Sequence, residues 1–286
     1  MSSYAYGEGC RSLRIELSKD AMQASFLRYL EELFRLPEIE SAKVRGIAIG
    51  RESISDAGMR AFDAGYHDCF SDVDLSVKVC LPKNGTVTPE EYMARVDRFG
   101  VTEDIALGWM FVPENSMYRI VFRSGMRYDL GFDLEYAGNA DLILGEQLER
   151  EENDKWPTAN IDRFWFIQVQ ALGKLYRRDN LIGSHLANMN CNETLVMQMV
   201  LRDIEHGTNH HRYGYSEELE YARDLGKLPY HFEDPTFRRI ADHLYAAALT
   251  HERLVKNFYP AYRERCDVFF SIWDSYEASY RGNRIS

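Results

Sequence analysis

Three aspartates carry the chemistry that this sequence suggests. Asp72 and Asp74 stand two apart in SDVDLSV, and Asp129 follows in RYDLGFDLEY. From Asp72 to Cys80 the chain alternates, with Val73, Leu75, Val77 and Val79 on one face and Asp72, Asp74, Ser76 and Lys78 on the other. That pattern predicts a strand with one buried side. Residues two apart on a strand project from the same face with Cα atoms roughly 6.5 to 7 Å apart, so both carboxylates can reach one ion. Unpaired and about 4 Å apart they would repel by about 4 kcal/mol at an effective dielectric of about 20, a cost that a bound cation reverses. Mg²⁺ is the expected ion, because it takes hard oxygen ligands, keeps several waters and is completed by substrate phosphates. Asp129 lies on a second alternating stretch, Met126 to Tyr136, where Tyr128, Leu130, Phe132 and Leu134 share a face opposite Asp129, Asp133 and Glu135. It is the candidate third carboxylate, either a shared metal ligand or the base that deprotonates an attacking hydroxyl. The alternative is that the paired aspartates are a solvated strand face.

The elements that must position these groups read as an α+β half followed by a helical half. Apolar spacing predicts a helix over residues 19 to 36, capped by Ser18 and stopped by Pro37. Lys43 to Ile49 reads as one buried strand ending at Gly50, and Arg51 to Ser71 as a loop with at most one helical turn. Thr88, Pro89 and Glu91 form a capping box that starts a helix from Glu90 to about Phe99. Tyr118 to Arg123 and Met126 to Tyr136 are expected to pair as a hairpin across a two-residue turn at Ser124 and Gly125. Beyond residue 155 the periodicity is helical. One stripe runs from Ile161 to Tyr176, a second comprises Leu195, Val196, Met199 and Val200, a third helix opens at Asp234 and Pro235, and a last one covers about 267 to 280. The expected division is a catalytic domain over 1–155 and a helical, substrate-binding domain over 156–286, with a mixed sheet and flanking helices in the first.

The ordered set GIAIGRES, SDVDLSV and RYDLGFDLEY resembles the nucleotidyltransferase superfamily of DNA polymerase beta. The helical half, through FWFIQVQALGKLYRRDNLIG and ETLVMQMVLRDIEHGTNHHRYG, resembles the C-terminal domain of aminoglycoside adenylyltransferases of the streptomycin type. The resemblance covers about residues 40 to 260. It implies an enzyme that moves a nucleoside monophosphate from ATP or another nucleoside triphosphate to a hydroxyl of a small molecule, with an aminoglycoside antibiotic as the suggested acceptor. It also implies that Gly50 and Ser53 form the phosphate-binding turn ahead of a helix N-terminus. Arg51 and Glu52 stand between them, and Arg51 is a further candidate for a triphosphate contact, against the reading of a surface arginine.

Weaker candidates surround this set. Asp133 could support the site or touch the acceptor, or simply be exposed. Glu205 and the nearby Asp203 could offer a carboxylate to the acceptor, or form a solvated helix face. Lys174, with Arg177 and Arg178, could meet the triphosphate, or form a solvated basic edge. His206, His210 and His211 lack the phasing of a metal site. An inactive nucleotide-binding or interaction protein on the same fold is the competing functional reading.

Composition narrows the classes. The 286 residues can bury a substantial core, and 18 Tyr and 15 Phe make it aromatic. A net charge of -11 argues against a nucleic-acid backbone as partner and suits a cationic acceptor. Cys10, Cys69, Cys80, Cys191 and Cys266 show no CxxC spacing, so free thiols are expected. No dinucleotide-binding or P-loop glycine motif is present. With neither a membrane-length apolar run nor a signal peptide, a cytoplasmic protein is expected.

Overall fold

The computed structural model describes residues 15–81, 92–93, 96–102, 104–112, 117–136, 161–207 and 218–285. The chain forms two compact units, Ile15–Asn153 and Asp154–Ser286, the second also including Met1–Arg14. The fold is α+β: a six-stranded mixed sheet with helices on it, and a set of C-terminal helices.

In the first unit β1 (Ile39–Val44), β2 (Ile47–Ile49), β3 (Val73–Leu81), β4 (Ala106–Val112), β5 (Met117–Phe122) and β6 (Arg127–Tyr136) are ordered β2-β1-β3-β6-β5-β4. All neighbours are antiparallel except β3 and β6, which run parallel at the centre. One face is dry. β3 buries Val73, Leu75, Val77, Val79 and Leu81 there, and β6 buries Tyr128, Leu130, Phe132 and Leu134. Helix α1 (Lys19–Leu33) covers this face with Phe26 and Tyr29, whose rings lie 6.3 and 4.8 Å from that of Tyr128. Ser18 caps it by accepting from the Ala21 N–H, as the sequence predicts, and it stops three residues short of the expected end.

Two expectations for the segment between α1 and β3 are corrected. The single strand expected over Lys43 to Ile49 is a hairpin, β1–β2, that turns at Arg45 and Gly46, both at positive φ. Two left-handed residues match the twist of flanking strands, which is why this turn closes tightly. The loop expected over Arg51 to Ser71 contains a 3₁₀ turn (Arg51–Ser53) and a twelve-residue helix, α2 (Ile54–Gly65). Its buried face is made of Ala57, Gly58, Ala61, Phe62 and Gly65, a helical spacing carried mostly by residues too small to register as apolar. Smallness lets α2 sit close: a Cβ on Gly65 would fall 2.7 Å from Val44 Cγ1.

The β5–β6 connection also differs. Phe122 donates to the Met126 carbonyl across three residues, Arg123 to Gly125, with Gly125 at φ 83°, so the loop is one residue longer than expected. Of the helix expected over Glu90 to Phe99, the described part includes a 3₁₀ turn at Val96–Phe99, and the remainder falls largely outside the described residues.

The second unit contains α3 (Ile161–Tyr176), α4 (Asn180–Glu205), α5 (Pro235–Phe258) and α6 (Cys266–Ile285). Its core holds Trp165, Trp273, Phe164 and His251, the last stacked on Phe164 at 3.7 Å. Asp234 caps α5 through the Thr236 and Phe237 N–H groups, with Pro235 first in the helix. The expected apolar stripe on α4 is corrected: Gly183, Ala187, Asn190, Cys191, Thr194 and Met197 are buried, whereas Val196 and Met199 are exposed. Gly183 faces the backbone of α3, where a Cβ would make ordinary contact 3.6 Å from the Leu175 nitrogen. Among the described residues no helix is long and apolar enough to cross a membrane.

Candidate functional site

The open face of the sheet gathers the predicted carboxylates at one end. The parallel register pairs Asp74 of β3 directly with Asp129 of β6, and Asp72 precedes β3 by one residue. The same register pairs Ser76 with Gly131, Lys78 with Asp133 and Cys80 with Glu135, so polar residues run along the two central strands of this face. Among the described residues, α1 and α2 pack on the opposite side. A cavity of about 330 Å³ lies over it, lined by Lys43, Arg45, Gly46, Asp74, Ser76, Met117, Asp129 and Gly131 among others.

Each carboxylate already has an arginine. Arg127, itself buried, donates from Nη2 to Asp72 Oδ2 at 3.2 Å and from Nη1 to the Phe70 carbonyl. Arg119, the cross-strand partner of Asp129, donates from Nε at 3.1 Å and Nη2 at 2.7 Å, both to Asp129 Oδ2. Arg45 reaches only to 3.8 Å from Asp74 Oδ2, between two exposed side chains, and such a pair contributes little. Arg45 is one of two non-glycine residues at positive φ among those described.

The arginines do not fully compensate Asp129. Its side chain is 9% exposed, and its Oδ1 is buried without a hydrogen-bond partner. Burial pushes its carboxyl above the usual carboxylate range; Arg119 pulls it back, Asp72 pushes it up further, and the Arg119 hydrogen bond and Arg127 act downward. The ligand oxygens of Asp72, Asp74 and Asp129 are not all within 4.8 Å of one another, so the observation that points to a missing partner here is the orphaned Asp129 Oδ1.

The expected phosphate turn lies elsewhere. Because the chain turns back at Arg45 and Gly46, Ile49 is level with Ala42 and hence with Val77, so Gly50 sits at the far end of the sheet from Asp74. Two strands over and about four residues along correspond to a separation on the order of 15 Å. Ser53 Oγ there accepts from the Gly50 N–H and donates to the Gly50 carbonyl, and Arg51 donates to the carbonyls of Leu36 and Ile39. These three residues knit the entrance to α2. Arg45 and Gly46 lie beside the carboxylates instead, lining the cavity with Asp74 and Asp129.

Asp133 is exposed and accepts from Ser76 Oγ at 3.4 Å, on the same face. Lys174 and Glu205 belong to the other unit, Lys174 half-buried on α3 and Glu205 exposed in the last turn of α4. Asp203 is buried and paired with Arg202 at 2.9 Å. Arg178 pairs with Asp234 at 3.1 Å. His206 is the exposed residue ending α4, and His210 and His211 lie outside the described residues. Cys69, Cys80, Cys191 and Cys266 are free thiols. Among the described residues, one trio of acidic or thiol groups, Glu40, Cys80 and Glu135, has mutually close ligand atoms. It lies at the far end of this face, and Lys78 bridges its glutamates at 3.0 and 2.9 Å, so its charge is already partly balanced.

Lys43, Arg45, Arg119, Arg127 and Gly131 were not legible as site residues. The alternation of β6 does place Arg127, Asp129 and Gly131 on one face, but only the register of β5 brings Arg119 to Asp129. Comparison of the chain with protein families, with curated proteins and with solved structures finds no match.

Proposed function

We propose that this chain is a metal-dependent nucleotidyltransferase, which moves a nucleoside monophosphate from ATP or another nucleoside triphosphate to a hydroxyl of a small, cationic acceptor. The resemblance at the sequence level suggests an aminoglycoside or similar antibiotic as that acceptor. The observation that carries the proposal is the parallel β3–β6 register, which sets Asp74 beside Asp129 on an open face, with the Asp129 Oδ1 buried and unpartnered.

Asp72 and Asp74 are the residues that would hold Mg²⁺, which when bound supplies charge neutralisation for the triphosphate. Lys43 and Arg45, across Ser76 from Gly131, supply cations for the polyphosphate. The acceptor oxygen forms a bond to the α-phosphorus while the bond from that phosphorus to the α–β bridging oxygen breaks, and pyrophosphate departs with the electron pair. The hydroxyl proton passes to Asp129 Oδ1, whose burial-raised proton affinity suits a base. Arg119 on Oδ2 keeps that carboxylate turned with Oδ1 free.

A second reading is favoured by the arginines: Arg127 and Arg119 neutralise two of the three carboxylates, as they would in an inactive nucleotide-binding or interaction protein. Incubation with labelled ATP, Mg²⁺ and a panel of aminoglycosides separates the two. The transferase releases pyrophosphate in an acceptor-dependent way, and Asp74→Asn abolishes the release without unfolding the protein. Binding without release, at every acceptor and nucleotide tried, leaves the inactive reading standing.

A further inference from the structure

Gly131 sits in the middle of β6, on the open face between Asp129 and Asp133, with Ser76 of β3 and Met117 of β5 beside it. A glycine inside a strand weakens it, and commonly marks a bulge, a bend or a close approach. Along β3 the register runs through Gly131 without a shift, the described ladder with β5 ends on the Met117–Gly131 pair, and Gly131 is not among the residues at positive φ. Among the described residues a Cβ placed on it meets no heavy atom within 4 Å. Gly58 and Gly65 differ, since a Cβ at either would collide at 2.7 Å. Packing explains those two; it does not explain Gly131. What the missing side chain creates is room, because Gly131 lines the 330 Å³ cavity that holds Asp74 and Asp129.

Resting on the nucleotidyltransferase reading, we infer that Gly131 is the floor of a nucleoside subsite: the sugar and base of the triphosphate lie over its bare Cα, against Met117. The walls sort the substrate's two halves. Lys43 and Arg45 stand on the β1 side and suit phosphate oxygens. Met117, on the β5 side, offers a polarisable thioether suited to the edge or face of a ring. Gly131 is two residues from Asp129, so its Cα is roughly 6.5 to 7 Å from that of the proposed base, a span that fits a sugar attached to the reacting phosphate. A side chain at 131 would fill this space without touching the carboxylates or the dry face of the sheet.

The test compares wild type with Gly131→Val, using the full-length chain. Valine favours strands and its Cβ has room, so the melting temperature holds or rises. Binding is measured for ATP, GTP, CTP and UTP, each with Mg²⁺, and for inorganic tripolyphosphate with Mg²⁺. The expected result is a loss on the order of tenfold or more for the nucleotides, with tripolyphosphate unchanged. Gly131→Ala, adding one methyl, should show a smaller loss of the same kind, and it serves as the variant should valine fail to fold. Unchanged nucleotide binding in both variants overturns the subsite, and so does an equal loss for tripolyphosphate. A wild type that binds none of the four nucleotides sinks the transferase reading and the subsite together. A wild type that binds nucleotide, weakens on Gly131→Val and never releases pyrophosphate supports the subsite and sinks only the transferase.

Discussion

At the scale of single residues, Asp129 combines burial, one satisfied oxygen and one orphan. Its folded-state proton affinity is raised, chiefly by desolvation, so the folded unit binds that proton more tightly than the unfolded chain does. Stability is therefore lost as pH rises from the ordinary carboxylate range through the folded value. Asp129→Asn removes the ionised group. It should match or exceed the wild-type melting temperature at pH 7 and lose that advantage below the ordinary Asp pKa of about 3.9. On the transferase proposal, turnover in the same variant should fall by about 10²–10⁴-fold, the usual contribution of a positioned base. Thermal melts at the two pH values beside a pyrophosphate assay check both halves. A variant that melts well below wild type at pH 7 would show Arg119 and Arg127 to be overcompensating the charge. The aspartates themselves were readable because alternation fixes their face. Their arginines were not, because register decides cross-strand partners. A two-residue turn at Ser124 and Gly125 would set Ile120 opposite Asp129, whereas the observed three-residue loop brings Arg119 there.

Among the elements, β3 and β6 were legible because each pairs a clean apolar face with a polar one, while the β1–β2 hairpin and α2 were not. Arg45–Gly46 lacks the asparagine or aspartate that usually announces a tight turn, and the buried face of α2 is mostly Ala and Gly. The consequence reaches the site, since this turn carries Arg45 to Asp74 and moves Gly50, Arg51 and Ser53 away. Gly65 holds the arrangement together by letting α2 approach Val44, the residue just before the turn. Gly65→Ala should cost about 1–3 kcal/mol in denaturant unfolding, because the new methyl meets a short, stiff valine branch. Gly58→Ala should cost less, as its methyl meets the mobile ends of Leu27 and Leu30. Equal costs would mean that Val44 yields as easily as the leucine tips. The α4 stripe failed for a related reason: Leu195, Val196, Met199 and Val200 share a helical spacing, but small and polar side chains occupy the buried face.

For the whole molecule, the two units carry buried titratable groups with opposite responses to acid. His251 lies in the helical unit, fully enclosed against Phe164 and Trp165, with Nδ1 unpartnered; desolvation first, and Arg265 second, lower its pKa from 6.5 to about 3. A depressed histidine contributes stability that is fully present above its unfolded value of 6.5 and is lost as pH falls through it. The expected slope for one proton is about 1.4 kcal/mol per pH unit. Tryptophan fluorescence, through Trp165 and Trp273, should show the helical unit weakening between pH 7 and 5, and His251→Phe should flatten that decline. An unaltered pH response in the variant would place the acid sensitivity on other groups. The α+β class could be read from the order of alternating and helical stretches, whereas the strand order could not. Pairing two strands whose facing aspartates, Asp74 and Asp129, are 55 residues apart depends on contacts that no local pattern encodes. The arginine held against each aspartate also bears on the sequence of events in a catalytic cycle. A bare divalent ion would meet a face on which two of the three carboxylates are already paired with arginine, and would gain little by arriving alone. On the transferase proposal, a triphosphate chelated to its ion would bring both signs at once, with Arg119 and Arg127 suited to phosphate oxygens and Asp72 and Asp74 to the ion. Ordered kinetics follow, with the chelate entering as one ligand and free ion binding weakly in its absence.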